Sequence, residues 1–399
     1  MRIRQLTAEE YDERIALSEF AFQFKLPPER LEEDRRHFRP EEHWGAFDEN
    51  GKLLSALILL PLHIYVQGRV LPMGGLAGVA TWPEHRRGGN VTKLLVRSLE
   101  EMRAQGQNVS MLHPFAFPFY RKYGWEFTVE RKRYEIETSI LPRPDTGGRI
   151  ERVAKDAEEL KEIYARFASG YVGMLARSEE WWRRKVESKS GTAALWRDAG
   201  GSPQGYILYE VQNRLLSVHD WAYAGEEARA GLWSFIANHD SMADRVHVTV
   251  PPDDGLPFLL PNPRFKQELV PYFMSRIVDV EGLIAQYSFR EGDKEEELVL
   301  QVADSYAPWN DGRFRIVFGA DGQGRIAAKT TREEPGGYGA GDRTEPDAAC
   351  DIRALTAMLL GNRRPEWLRQ AGLLQGSEEA VALLGRRIPS AVPYLADFF

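Results

Sequence analysis

Gly88 and Gly89 stand between an apolar run, Leu76-Ala77-Gly78-Val79-Ala80-Thr81, and an amphipathic segment that opens at Asn90. The run reads as a strand, and Trp82-Pro83 stops it, because proline lacks the N–H that a central ladder requires. In the turn His85-Arg86-Arg87-Gly88-Gly89-Asn90 the paired glycines let the backbone fold tightly and leave its N–H groups uncovered. The helix that follows points its free N–H groups and positive dipole end at the same spot, which suits a diphosphate. Val91, Leu94, Leu95, Leu99 and Met102 recur at helical spacing, with Lys93, Arg97, Glu100, Glu101 and Arg103 on the other side, so the helix ends near Gln105-Gly106. A short strand, Val109 to Leu112, and the aromatic-basic stretch Phe119-Tyr120-Arg121-Lys122-Tyr123-Gly124-Trp125 complete the pattern. Alone, the turn is a solvated loop and the aromatics are core. In this order and at this spacing they are separate requirements that core packing does not impose together.

At 399 residues the chain exceeds what one hydrophobic core supports, so two or three domains are expected. A net charge of −7 opposes nucleic-acid binding, which needs a basic surface, and leaves cationic substrates open. The single cysteine, Cys350, excludes intrachain disulfides and a cysteine-cluster metal site, and no metal is expected. The start, Met1 to Thr7, alternates like a strand without an apolar leader, and the longest apolar run, Leu53 to Leu62, is too short for a bilayer. The expectation is a cytoplasmic protein with no membrane contact.

Residues 1–140 read as one domain: strand, helix, a hairpin of His43 to Phe47 with Leu53 to Val66 about an Asn-Gly turn, then the central element and a strand from Arg131 to Glu137. A breaker-rich linker, Leu141 to Gly148, precedes a restart over 149–275. There a helix over Glu226 to His239 opens after Ala224-Gly225-Glu226-Glu227, with acids where the first turn has arginines, and like charge would repel a phosphate. The last part, 276–399, begins with a strand at Ile277 to Val280 and a helix to Gln286, and continues with strands Glu297 to Val302 and Arg313 to Phe318 and a strand-helix at Cys350 to Gly361.

Strand, Arg86-x-x-Gly89 opening a helix, strand and Phe-Tyr-Arg-Lys-Tyr-Gly-Trp together resemble the GNAT superfamily of acetyl-CoA-dependent N-acetyltransferases, although Val91 stands where that family's turn ends in Gly or Ala. Residues 149–275 resemble a second, non-catalytic copy, and 276–399 a sterol carrier protein fold. The fold class is therefore α/β of the α+β kind: two tandem GNAT folds with mixed central sheets, then a C-terminal α+β domain. This order of parts resembles the enhanced intracellular survival family of acetyltransferases.

The resemblance implies acetyl-CoA as co-substrate, held by Val79, Ala80, Thr81, Arg86, Arg87, Gly88, Gly89, Asn90 and Val91, and Tyr120 as proton donor to the CoA sulfur. It also implies the C-terminal carboxylate of Phe399 as base, multi-site acetylation of aminoglycosides and a homo-oligomer, a hexamer in that family. Chemistry fits these roles: the attacking amine must shed a proton, the N–H of Val79 or Ala80 can polarise the thioester, and a carboxylate among Phe398 and Phe399 is desolvated toward basicity. For a cationic acceptor, Glu19, the Asp397 side chain and the terminal carboxylate are candidate partners, with Phe24 and Trp82 as walls. Two other readings stay open. One is an acyl-CoA or lipid-binding sensor without transferase activity. The other is a twin-GNAT aminoacyl transferase, which would want a basic tRNA surface or a helical arm that the sequence does not show.

Overall fold

In the computed structural model, which describes residues 1–333, 345–361 and 363–399, one twelve-stranded sheet runs from the N-terminus to Ile277. The first unit supplies β1 (Arg2–Gln5), β2 (His43–Phe47), β3 (Leu53–Val66), β4 (Arg69–Thr81), β5 (Val109–Leu112) and β6 (Glu126–Glu137). Its helices are α1 (Tyr11–Phe22) and α2 (Pro28–Arg36) after β1, α3 (Asn90–Ala104) between β4 and β5, and α4 (Phe117–Arg121) before β6. The second unit repeats the plan with β7 (Arg149–Val153), α5 (Glu158–Ala168), the single turn α6 (Glu179–Trp181), β8 (Thr192–Arg197), β9 (Pro203–Gln212), β10 (Leu215–Tyr223), α7 (Glu226–Ala237), β11 (Arg245–Val250), α8 (Leu256–Leu259) and β12 (Lys266–Ile277).

Local chemistry explains the regular parts. The β2–β3 hairpin closes because Asp48 Oδ1 accepts from the N–H of Asn50 at 2.9 Å and of Lys52 at 2.8 Å, while Gly51 takes φ +82°. In α3 the residues Leu94, Leu95, Leu99 and Met102 are fully buried on the sheet, and Gly74 of β4 makes room for Met102, whose sulfur lies 2.1 Å from where a Cβ would stand. Alternation along β4 then sends Gly74 and Leu76 toward α3, and Met73 and Gly75 to the opposite face.

The strand order is β1-β2-β3-β4-β5-β12-β6-β11-β10-β9-β8-β7, with parallel pairing only at β4/β5 and β10/β11. The two units exchange strands: β12, which follows β11 in sequence, lies beside β5, and β6, which follows β5, lies beside β11. The division of the chain near residue 140 is therefore not a division of the sheet. The strand expected to begin at Ile277 is instead the end of β12, which starts at Lys266. Pro271 sits within this central strand because the register shifts between Pro271 and Phe273, so that its missing N–H falls at an irregularity.

The third unit comprises α9 (Val280–Gln286), β13 (Glu296–Ala303), β14 (Gly312–Phe318), β15 (Gly324–Thr331), β16 (Ala348–Asp351), α10 (Ile352–Leu359), α11 (Pro365–Gln370), β17 (Leu374–Gly376) and α12 (Glu378–Arg387). Its sheet has the order β15-β14-β13-β16-β17. Phe289, Leu298, Leu300, Phe314, Ile316 and Phe318 fill it and share one core with Met73, Val109 and Phe273 on the face of the large sheet away from α3. No described helix is long and apolar enough to cross a membrane.

Candidate active site

The site begins where two parallel strands part. Met73 to Leu76 of β4 pair with Val109 to Leu112 of β5, where β5 ends, while β4 runs on to Thr81. In this overhang Ala77 pairs with Ile58 and Ala80 with Ala56, so Gly78 and Val79 together face Leu57 in a bulge. Gly78 adopts φ +57°, and a Cβ there would come within 3.0 Å of the Ile58 side chain. The bulge turns the overhang of β4 away from β5 and leaves its edge free to pair with an extended ligand.

Past β4 the chain makes a turn at Pro83–His85 and reaches Arg86, Arg87 at φ +64°, Gly88 and Gly89 at φ +79°. Asn90 Nδ2 donates to the His85 carbonyl at 3.1 Å and closes the loop over the first turn of α3. Only Gly89 is demanded by backbone conformation; a Cβ on Gly88 would stand in ordinary contact, 3.7 Å from the His85 oxygen. Seam and turn open into one cleft of about 710 Å³, lined by Val79, Ala80, Thr81, Arg86, Arg87, Gly89, Asn90 and Val91 from the expected set, whereas Gly88 is not among its lining residues. Lys122 and His85 join them. Arg86 and Arg87 have no carboxylate partner among the described residues, so their charge is available to an anion.

Tyr120, on α4, is 3% exposed and packs edge-on against Phe115 at 5.5 Å, Phe119 at 5.1 Å and Trp125 at 6.4 Å. Phe115 and Phe119 line the cleft; Tyr120 itself does not. Burial pushes its pKa up, and its hydroxyl has no hydrogen bond among the described residues, so it is a protonated donor without a competing acceptor. Tyr123 is fixed beside it by Thr92, 2.7 Å between hydroxyl oxygens, and by the Tyr306 ring of the third unit at 4.9 Å.

The C-terminus lies at the same seam from the other face. The Phe399 ring packs on Phe273 at 4.9 Å and occupies the space over Gly75, 2.9 Å from where a Cβ would be. Phe398 is 60% exposed and meets His113, the residue directly after β5, at 5.1 Å. His113 also contacts Tyr272 and Phe273, and burial together with Arg131 lowers its pKa. Sequence reasoning passed over His113 and Tyr272; the position of His113 at the end of a central strand was the signal available.

The acceptor contacts fare differently from expectation. Asp397 is buried, and its carboxylate is taken by Arg177, Trp181 and Tyr164, so it anchors the tail and has no free oxygen edge for a substrate. Glu19 is bound by Lys25 and accepts the Leu26 N–H at 3.0 Å, which makes it the clasp of the α1–α2 turn. Trp82 packs tilted against Phe20, ring centroids 5.1 Å apart, and Phe24 is exposed, yet the aromatic from this cluster that lines the cleft is Phe22.

Residues 2–128 match an acetyltransferase (GNAT) domain family, residues 173–277 a second acetyltransferase (GNAT) domain family, and residues 280–396 a sterol carrier protein domain family. An uncharacterized N-acetyltransferase of Streptomyces avermitilis is 26% identical over 90% of this chain and 89% of its own. The N-acetyltransferase Eis of Mycobacterium tuberculosis is 25% identical over 87% of this chain and 86% of its own. The solved structure of a probable N-acyltransferase from Enterococcus faecalis superposes with a TM-score of 0.89 at 28% identity, over 100% of this chain and 99% of that one. The chain carries two GNAT acetyltransferase domains and a sterol carrier protein domain, and over most of its length it is similar to the Eis N-acetyltransferases.

In this Eis-like acetyltransferase the second unit repeats the seam with different side chains around it. β10 and β11 pair in parallel over Leu215 to Ser217 and then part, and β10 carries its own bulge between Val218 and Asp220. Trp221 fills the gap: it is 5% exposed, and its indole N–H donates to the Thr249 carbonyl across the seam at 3.2 Å. At the start of α7, Glu226 holds Arg229 at 2.6 Å in place of a basic turn. A phosphate would meet two acids there, Glu226 and Glu227.

Proposed function

We propose that the Eis-like enzyme transfers acetyl from acetyl-CoA to primary amines of a polycationic acceptor, with aminoglycosides as the substrate class and several amines of one acceptor modified. In this reading the diphosphate rests on the Arg86–Asn90 turn and the N–H groups of the β4 overhang polarise the thioester carbonyl. The Phe399 carboxylate removes a proton from the ammonium, and the neutral nitrogen attacks the carbonyl carbon. The tetrahedral adduct collapses with cleavage of the C–S bond, Tyr120 gives its proton to the departing thiolate, and the nitrogen's second proton passes through water to the tyrosinate. The products are an amide and free CoA.

The observation that carries this reading is the seating of Phe399 over Gly75. Gly75 is three residues before Gly78, about 10 Å along a strand, so in this reading the terminal carboxylate reaches toward the bulge from one face of the sheet and Tyr120 from the α3 side. A carboxylate base and a phenolic acid on opposite faces of one seam are what an amine acylation needs. The aminoglycoside class draws on the relation to Eis and on the net charge of −7; Glu19 and Asp397, being engaged, do not add to it.

The test is product mass after mixing the enzyme with acetyl-CoA and a panel of aminoglycosides, polyamines and lysine peptides, with CoA release followed in parallel. Several acetyl groups on one aminoglycoside are expected. Acetylation confined to peptides would replace the acceptor class, and binding of acetyl-CoA without transfer to any amine would favour a sensor.

A further inference from the structure

We propose that the second acetyltransferase unit serves as the latch of the first: Arg177, seated on the β10 bulge by Asp220, positions the chain terminus for transfer by gripping Asp397. The inference rests on the reading of the Phe399 carboxylate as base.

Chain ends fray unless something ties them down. Here the Tyr394 N–H donates to the Val172 carbonyl at 3.0 Å, the Val172 N–H donates to the Val392 carbonyl at 3.0 Å, and the Asp397 carbonyl accepts from the Tyr272 hydroxyl at 2.8 Å. The strongest tie is the Asp397 side chain. Arg177 Nε donates to both of its oxygens at 3.1 Å, Trp181 Nε1 donates at 3.0 Å and the Tyr164 hydroxyl at 3.2 Å. The rest of the guanidinium grips Asp220 with Nη1 at 2.8 Å and Nη2 at 3.0 Å. The Arg177 side chain is 0% exposed and lies over the Tyr164 ring at 3.8 Å.

Two carboxylates share one buried cation, Lys189 Nζ at 3.9 Å from Asp220 adds a second positive charge, and hydrogen bonds from the Tyr206 hydroxyl at 2.8 Å to Asp220 and from Tyr164 and Trp181 to Asp397 hold the carboxylates further. Such a cluster is weak evidence for stability, since apolar packing does as well. What it does provide is position. Asp397 and the carboxyl end of Phe399 are separated by two residues, at most about 7 Å of chain. With Asp397 clamped and the Phe399 ring lodged over Gly75, the carboxylate that Phe399 carries has little freedom. The bulge that opens the first unit's seam is in the second unit the seat of Asp220 and, through it, of the latch.

The test compares Asp397→Asn in the full chain and in a chain lacking Phe398 and Phe399. Asparagine keeps an acceptor for Trp181 and leaves Arg177 neutralised by Asp220, so no buried charge is orphaned. In the full chain kcat falls about tenfold to a hundredfold, the loss expected for a misplaced catalytic group, while the KM for acetyl-CoA and the melting temperature hold. In the shortened chain the same substitution changes the residual kcat little, because there is no terminus left to position. Trp181→Phe is the milder probe, removing one hydrogen bond for a fall of about threefold in the full chain and none in the shortened one. Equal losses in both backgrounds, or an unchanged kcat in full-length Asp397→Asn, overturn the latch. If the shortened chain alone retains full kcat, the terminal base itself is wrong and the latch falls with it; if it is inactive while Asp397→Asn is not, the base stands and only the latch is lost.

Discussion

The seams at β4/β5 and β10/β11 are built alike and end in opposite chemistry. Each is a short parallel pair followed by a bulge and a helix N-terminus. The first opens a cleft edged by unpaired arginines; the second is plugged by Trp221 and faced with Glu226 and Glu227. The backbone plan therefore does not decide which copy is an enzyme. The side chains at the bulge, in the turn and behind the seam are what differ, and in the function proposed above they assign the reaction to the first copy and leave the second to act as support.

Removing the plug gives the largest expected effect. Trp221→Ala empties an indole site and costs about 3–5 kcal/mol of stability in denaturant unfolding. Calorimetric titration still finds a single acetyl-CoA site per chain, because the acids at α7 remain; a second site appearing would show that the indole alone had closed the seam. In the working copy, Tyr120→Phe lowers kcat by about a hundredfold or more, the contribution of a positioned general acid, with acetyl-CoA affinity nearly unchanged. A comparable loss of affinity would make Tyr120 a binding residue. Arg86→Ala removes a charge-assisted contact of about 1.5–3 kcal/mol, so the dissociation constant of acetyl-CoA rises at least tenfold at constant kcat. Glu226→Gln in the second unit leaves both values alone, and a gain in affinity there would mean that the second turn meets the ligand.

The two halves also differ toward acid. Burial, and then Arg14, depress the pKa of His43 on β2 from 6.5 to about 3. Below pH 6.5 the unfolded chain takes up a proton that the folded chain refuses, so His43 erodes stability from pH 6.5 downward, by up to about 1.4 kcal/mol per pH unit. For Asp220 in the second unit, burial raises the pKa but Arg177, Lys189 and the Tyr206 hydroxyl together outweigh it, leaving about 2 against 3.8. Its contribution is lost only as pH falls below 3.8. Urea midpoints between pH 7 and 4 should therefore decline in the parent and flatten in His43→Phe; an unchanged slope would place the acid sensitivity elsewhere.

Most of the first unit was legible because its signals are local. The bounds of β2 and β3 follow from the turn residues between them, and α3 from helical spacing between Gly89 and Gln105. β12 was not legible. Its partners lie about 130–170 positions upstream on β5 and β6, and Pro271 reads as a breaker until the register shift that admits it is seen. Asp397 misled for the same reason: a carboxylate near the end of an acidic chain reads as free for a cationic ligand, and its partners Arg177 and Trp181 lie more than 200 residues away. Local pattern thus reveals the cofactor turn, whereas the groups that hold the terminus come together only through the exchanged sheet.

The smallest effect is the sharpest probe of the turn. Gly88 and Gly89 look equivalent in sequence, but only Gly89 has positive φ, at +79°. A left-handed conformation costs an ordinary residue about 1–2 kcal/mol, so Gly89→Ala lowers stability by roughly that amount or shifts the N–H groups at the start of α3. Either response weakens acetyl-CoA binding several-fold. Gly88→Ala is expected to be near neutral, since its Cβ would find 3.7 Å of space to the His85 oxygen. A loss of affinity in Gly88→Ala matching that in Gly89→Ala would mean that the ligand, and not the backbone, requires a bare Cα at position 88, and would place the diphosphate directly against it.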